Sequence, residues 1–177
     1  MGQTFYRAVI DSPIQPLAVA FDAAGALRAL SFYGEKGDGL RATMAREYPG
    51  APLIEAPVPE AMAAAFEAYF AGDRSALDRI VWSLEGAAGE GGFQARVWKA
   101  LTEIPAGQTI SYGEMAKRAG GSGPEAARAA GVALNRNPIA LVLACHRVVG
   151  ADGAMTGFGG GLERKTWLLR HEGALLI

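Results

Sequence analysis

Residues 144–149 read Ala-Cys-His-Arg-Val-Val and contain the chain's single cysteine, Cys145, followed directly by His146, one of two histidines. Sulfur is nucleophilic as the thiolate, and an imidazole beside the thiol is suited to take its proton at neutral pH. The pair therefore points to nucleophilic sulfur chemistry. Blander accounts stand beside it. Most free cysteines are small buried hydrophobes, and a lone histidine is commonly a partly exposed structural residue. Two features favour the nucleophile for Cys145. Asn137-Pro138 signals a turn and the apolar run 139–143 stops just before the thiol, while His146 and Arg147 together would be costly in an apolar core.

One cysteine makes no intramolecular disulfide, and with two histidines it leaves too few soft ligands for a structural zinc site. No metal and no cofactor are expected. No second thiol is present to resolve a thioether, so a carbon group transferred to Cys145 would stay there.

The elements that must hold this thiol divide the chain in two. Alternating and β-branched runs at 5–10, 16–21 and 27–33, separated by Asp-Ser-Pro and Asp-Ala-Ala-Gly, predict a small antiparallel sheet. Helical spacing follows at 39–48 and 58–71. The glycine-rich stretch 85–92 is the natural boundary, giving domains at 1–88 and 92–177. Beyond it, Phe93, Val97, Trp98, Leu101 and Ile104 fall on one face of a helix over 93–103. Short helices at 113–119 and 124–135, joined through Gly120-Gly-Ser-Gly123, read as a helix-turn-helix, and 162–171 forms a last helix. The fold class is α+β: a small N-terminal sheet with helices, then a mostly helical C-terminal domain.

The net charge of −1 conceals an asymmetry, because residues 1–91 carry seven basic and twelve acidic side chains and residues 92–177 carry ten and six. A locally positive C-terminal half suits a phosphate-bearing partner. The helix over 124–135 has an almost bare surface of Ala126, Ala127, Ala129, Ala130, Gly131 and Ala133, interrupted by Arg128 and Arg136. Small residues let two protein helices pack closely; they equally let a thin helix enter a nucleic-acid groove behind a projecting Arg128. No run is long enough to span a membrane, and the N-terminus lacks the order of a secretion signal, so a cytoplasmic monomer is expected.

Taken in order, Ile110-Ser-Tyr-Gly-Glu114, Ala126-Ala-Arg-Ala129, Asn135-Arg-Asn-Pro138, Cys145-His-Arg-Val-Val149, Thr156-Gly-Phe158, Gly160-Gly-Leu-Glu-Arg-Lys165, Trp167-Leu-Leu169 and His171-Glu-Gly173 resemble the O6-alkylguanine-DNA alkyltransferases. The likeness covers the whole C-terminal half, and the N-terminal half is similar to the ribonuclease-like domain of that family. It implies a suicide repair protein whose partner is double-stranded DNA carrying O6-alkylguanine, with O4-alkylthymine as a further candidate. Cys145 would take the alkyl group in a single irreversible step, His146 would act as base through a bridging water, Glu172 would orient the imidazole and Asn137 would hold the turn. A base stacked in duplex cannot reach a buried thiol, so the nucleotide would be flipped out. The resemblance gives Tyr112, Val148, Met155, Phe158 and Gly159 to the base pocket. It gives Arg128, Ser111, Ala127 and Gly131 to DNA, with Arg128 filling the vacated stack. Ala144 and Phe158 stand where the family favours proline and tyrosine. Two other classes remain: a non-catalytic lesion-recognition or regulatory DNA-binding module with an incidental thiol, and a cysteine hydrolase, which would need an oxyanion hole and turnover.

Overall fold

Runs of apolar residues near the N-terminus form β1 (Phe5–Ile10), β2 (Leu17–Phe21) and β3 (Leu27–Phe32) in a computed structural model that describes residues 2–33, 39–153, 155 and 161–175. Every residue of β2 is buried, as a central strand covered on both faces requires, which is why Leu-Ala-Val-Ala-Phe is continuously apolar. β1 pairs antiparallel with β2 from Tyr6↔Phe21 to Ile10↔Leu17, and β2 pairs antiparallel with β3 from Leu17↔Phe32. These three strands match the expected antiparallel arrangement. The sheet as a whole is mixed, because β4 (Leu53–Glu55) joins β1 in parallel and gives the order β3-β2-β1-β4. Three residues between Pro52 and Pro57 carry too little periodicity to announce a strand.

Two helices, α1 (Gly39–Glu47) and α2 (Glu60–Phe70), complete the N-terminal part; α2 buries Met62, Ala65, Phe66 and Tyr69, the spacing of one helical face. The chain divides into two compact units, residues 1–88 with 138–142, and residues 89–137 with 143–177. In the first unit Ile139 forms a parallel bridge with Leu30, whose N–H donates to the Pro138 carbonyl at 2.9 Å.

The second unit contains α3 (Gly92–Ala100), β5 (Ile110–Ser111), α4 (Tyr112–Arg118), α5 (Gly123–Asn135), β6 (Val148–Val149) and α6 (Leu162–His171). The helix expected through residue 103 ends at Ala100 and tightens into a 3-10 turn over Leu101–Glu103. Trp98 is fully buried and its Nε1–H donates to the Ala133 carbonyl at 2.7 Å, fixing α3 against α5. Burying a side chain of this size contributes about 2–3 kcal/mol, and the hydrogen bond removes the penalty of a buried indole N–H. α4 packs on α5, and α3 packs on both. Among the described residues no helix is long and apolar enough to cross a membrane.

Candidate active site

The nucleophile candidate sits on a one-turn 3-10 helix, Cys145–Arg147, where three residues suffice to reverse the chain between a buried run and β6. The Cys145 N–H donates to Leu143 O at 2.8 Å, Arg147 N–H to Ala144 O at 3.0 Å, and Val148 N–H to Cys145 O. Ala144 has φ −77°, inside the range proline would impose. Upstream, Asn137 Nδ2 donates to Leu143 O at 2.7 Å and ties the chain just before the turn. The buried Leu141 lies at φ +73°, a left-handed conformation that costs a non-glycine residue about 1 kcal/mol or more.

His146 and Glu172 are both fully buried, with Nε2 and Oε1 at 3.0 Å. A carboxylate only accepts, so Nε2 carries the hydrogen and Nδ1 keeps the lone pair in the neutral ring. Nδ1 has no hydrogen-bond partner among the described residues. Glu172 also receives a forked pair from Arg147, Nε at 2.9 Å and Nη2 at 2.7 Å, while Arg147 Nη1 donates to Ile104 O at 2.6 Å. Gly107, at φ +93°, packs under the same residue, since a Cβ there would lie 3.1 Å from the Glu172 carbonyl.

These contacts set the charges. Burial opposes ionisation of Glu172, but hydrogen bonds from Arg147 and His146 overcome it and hold the carboxyl far below the usual range. Burial pushes His146 down, and the neighbouring Arg147 and Lys165 charges reinforce this against Glu172, so the imidazole is neutral. Burial also pushes the Cys145 thiol up; a hydrogen bond from Asn137 and the positive charge of Lys165 pull in the opposite direction without reversing it. The resting sulfur is thus a protonated thiol, and the adjacent residue carries a neutral imidazole.

Lys165 and Arg147 were not singled out from the sequence as site residues. Lys165 is completely buried and its Nζ donates to Val148 O at 2.7 Å. Its signal was present: residues 165, 168, 169 and 172 follow the i, i+3, i+4, i+7 stripe of α6, and Lys165, Leu168, Leu169 and Glu172 are all buried. Charged residues on a core stripe mark a polar cluster that must be internally paired.

Of the remaining sequence candidates, Val148 is buried in β6, and its carbonyl accepts from Lys165 Nζ. Tyr112 is the half-buried first residue of α4, and Met155 is half-buried. Phe158 and Gly159 lie outside the described residues. Ser111 is the N-cap of α4, its hydroxyl accepting from Glu114 N–H at 3.1 Å. On α5, Arg128 is exposed, Ala127 and Gly131 are half-buried, and a Cβ at Gly131 would meet nothing within 4 Å. β5 and β6 pair in parallel, Ile110↔Val148 and Ser111↔Val149, which joins the start of α4 to the residues just after the thiol.

Residues 92–174 match the family model described as 6-O-methylguanine DNA methyltransferase, DNA binding domain. A methylated-DNA–protein-cysteine methyltransferase of Shigella flexneri is 43% identical over 170 residues, 95% of each chain. The crystal structure of the Mycobacterium tuberculosis O6-methylguanine methyltransferase superposes with a TM-score of 0.76 at 37% identity, covering 97% of this chain and 94% of that one. The same Mycobacterium tuberculosis protein in complex with DNA gives a TM-score of 0.73 at 37% identity, over 97% and 93% of the two chains. A cysteine presented on a tight turn beside a buried histidine–glutamate pair, within a sequence this similar along nearly all its length, places the chain in the methylated-DNA–protein-cysteine methyltransferase family.

Proposed function

We propose that this chain repairs DNA by moving an alkyl group from O6 of guanine onto Sγ of Cys145, once per molecule. Sγ attacks the alkyl carbon in line, the carbon–O6 bond breaks, and its electron pair leaves with the guanine. The thiol proton passes through a bridging water to Nδ1 of His146, and the departing guanine anion takes up one proton from solvent while the imidazolium returns one to it, so that the proton lost by sulfur ends on the base. The observation that carries this reading is the orientation of His146. Its Nε2 is committed to Glu172 at 3.0 Å and its Nδ1 is buried with no partner among the described residues, the disposition of a base waiting for a proton.

Other roles are proposed from the resemblance and the contacts around Glu172. Glu172 orients the ring and offsets the imidazolium as it forms, and Arg147 keeps Glu172 ionised. Asn137 holds the turn. The α4–α5 pair acts as a helix-turn-helix: Ser111, Ala127 and Gly131 approach the DNA, and Arg128 occupies the space of a flipped nucleotide. The family resemblance gives the flipped base to Tyr112, Val148, Met155, Phe158 and Gly159. Double-stranded DNA with O6-alkylguanine is the partner, O4-alkylthymine a second lesion to try, and the protein acts as a monomer. The first unit is read as a ribonuclease-like domain.

The test is incubation with duplex carrying one O6-methylguanine, followed by intact mass. A stoichiometric gain of one methyl group, abolished in Cys145→Ala, is expected. Tight binding without a mass change would replace this reading with lesion recognition, and repeated product release per protein molecule would replace it with a hydrolase.

A further inference from the structure

Arg96, on α3, is one of ten basic residues in the positive half of the chain, and charge alone would assign it to a phosphate. Its geometry directs it elsewhere. Nε donates at 2.8 Å to the carbonyl of Ala119, the residue that ends α4, and its guanidinium carbon lies 5.7 Å from the centroid of the Phe93 ring. The carbonyl end of a helix carries partial negative charge, so a cation capping it is favourable, and the aromatic face adds to this.

Phe93 then reaches the turn between α4 and α5. A Cβ at Gly121 would stand 3.0 Å from Phe93 Cε2, 2.8 Å from Ala126 Cβ and 3.3 Å from Ala116 O. Gly121 is therefore where α3, the end of α4 and the start of α5 converge with no room for a methyl group. The backbone is tied at the same place, Gly120 N–H to Lys117 O at 2.9 Å and Gly121 N–H to Ala116 O at 2.8 Å, with Gly120 at φ +88°.

We propose that Arg96 and Phe93 form a splint that sets the angle between α4 and α5, making Arg96 a positioning residue for DNA and not a phosphate contact. The splint rests on the reading of α4–α5 as the DNA-binding pair. Its Nε is committed to the end of α4, and the helices it aligns carry Arg128 and Ser111 to the duplex.

The experiment measures affinity for a labelled O6-methylguanine duplex across a salt series in the Cys145→Ala background. In parallel, transfer from free O6-benzylguanine is followed by intact mass with Cys145 present. Arg96→Gln is expected to weaken duplex binding about tenfold, as loss of a charged hydrogen bond does, with an unchanged salt slope and an unchanged rate on the free base. Arg96→Lys keeps the charge and recovers little, because an ammonium cannot lie flat on Phe93 while donating to Ala119. Gly121→Ala leaves every cation in place and gives the same pattern. A salt slope shallower by about one in Arg96→Gln would make Arg96 a phosphate contact. Unchanged affinity, or an equal loss on the free base, would also overturn the splint. A wild-type chain that neither binds duplex nor gains mass would overturn the underlying reading, and the splint's part in binding with it.

Discussion

The surroundings of Cys145 and the outer surface of α5 handle charge in opposite ways. His146, Arg147, Lys165 and Glu172 are at most 6% exposed and are engaged by one another or by backbone carbonyls. Arg128 is exposed on a helix rich in alanine and glycine. Buried charges are tolerated only while every partner is present, so each depends on the others for its protonation state. Exposed charges are cheap to lose and act at longer range through salt-dependent attraction. On the proposed reading, the first region decides whether sulfur chemistry occurs and the second how firmly DNA is held while it does.

The largest effect that could break this separation is expected from Cys145→Ala, which should abolish the methyl gain seen by intact mass while leaving duplex affinity in place. Loss of both would show that the two regions are one. Glu172→Gln should slow transfer about a hundredfold or more, the range of a disabled acid–base group, as measured by rapid quench. It should also lower unfolding free energy by about 3–5 kcal/mol in urea titration, because Arg147 is left buried without its carboxylate. Wild-type stability there would mean that Arg147 has another counter-charge.

Arg128→Ala tests the opposite side. It should impair transfer from duplex about tenfold or more and leave transfer from a free alkylated base unchanged, since only duplex requires extrusion of a nucleotide. Equal losses on both substrates would remove Arg128 from that role.

A pH series separates the regions more finely. His146 is held below its ordinary pKa, so the unfolded chain binds more protons than the folded one at mildly acid pH. Stability is therefore fully present above about pH 6.5 and declines as pH falls below it. Glu172, also depressed, contributes fully above the ordinary carboxylate range, and that contribution erodes as pH falls through and below it. The unfolding midpoint should drop steadily from pH 7 to pH 4 and flatten over that interval in a Glu172→Gln, His146→Gln double variant. The smallest effect is expected for Ser111→Ala, about 1 kcal/mol of stability from the lost N-cap, read by thermal unfolding.

The parts of the molecule that follow from local rules were legible in its sequence. The strand over 5–10 and the helix over 162–171 coincide with β1 and α6, because alternation, helical spacing and flanking glycines all agree there. α5 begins one residue before the expected start, at Gly123 with Pro124 in its first turn. What escaped depends on distant partners. β4 exists because β1 offers an open edge, and nothing in Leu-Ile-Glu announces that pairing. Around the reactive turn, motif and resemblance single out Cys145, His146 and Glu172, whereas Arg147 and Lys165 escape notice because cations are expected in solvent. Their burial follows from Glu172 and Val148 O, which lie far from them in sequence or on another element.

The two-residue ladder of β5 with β6 leaves no slack. Ser111 is at once a rung opposite Val149 and the cap that starts α4, and Val148 follows the reactive turn directly. Adding or deleting a single residue between 145 and 148 would shift β6 out of register with β5, and doing so between 111 and 112 would part the capping hydroxyl from α4. Loop grafting or length engineering at either place should be met with loss of the whole arrangement, while the chain's tolerance for insertions is to be sought elsewhere on its surface.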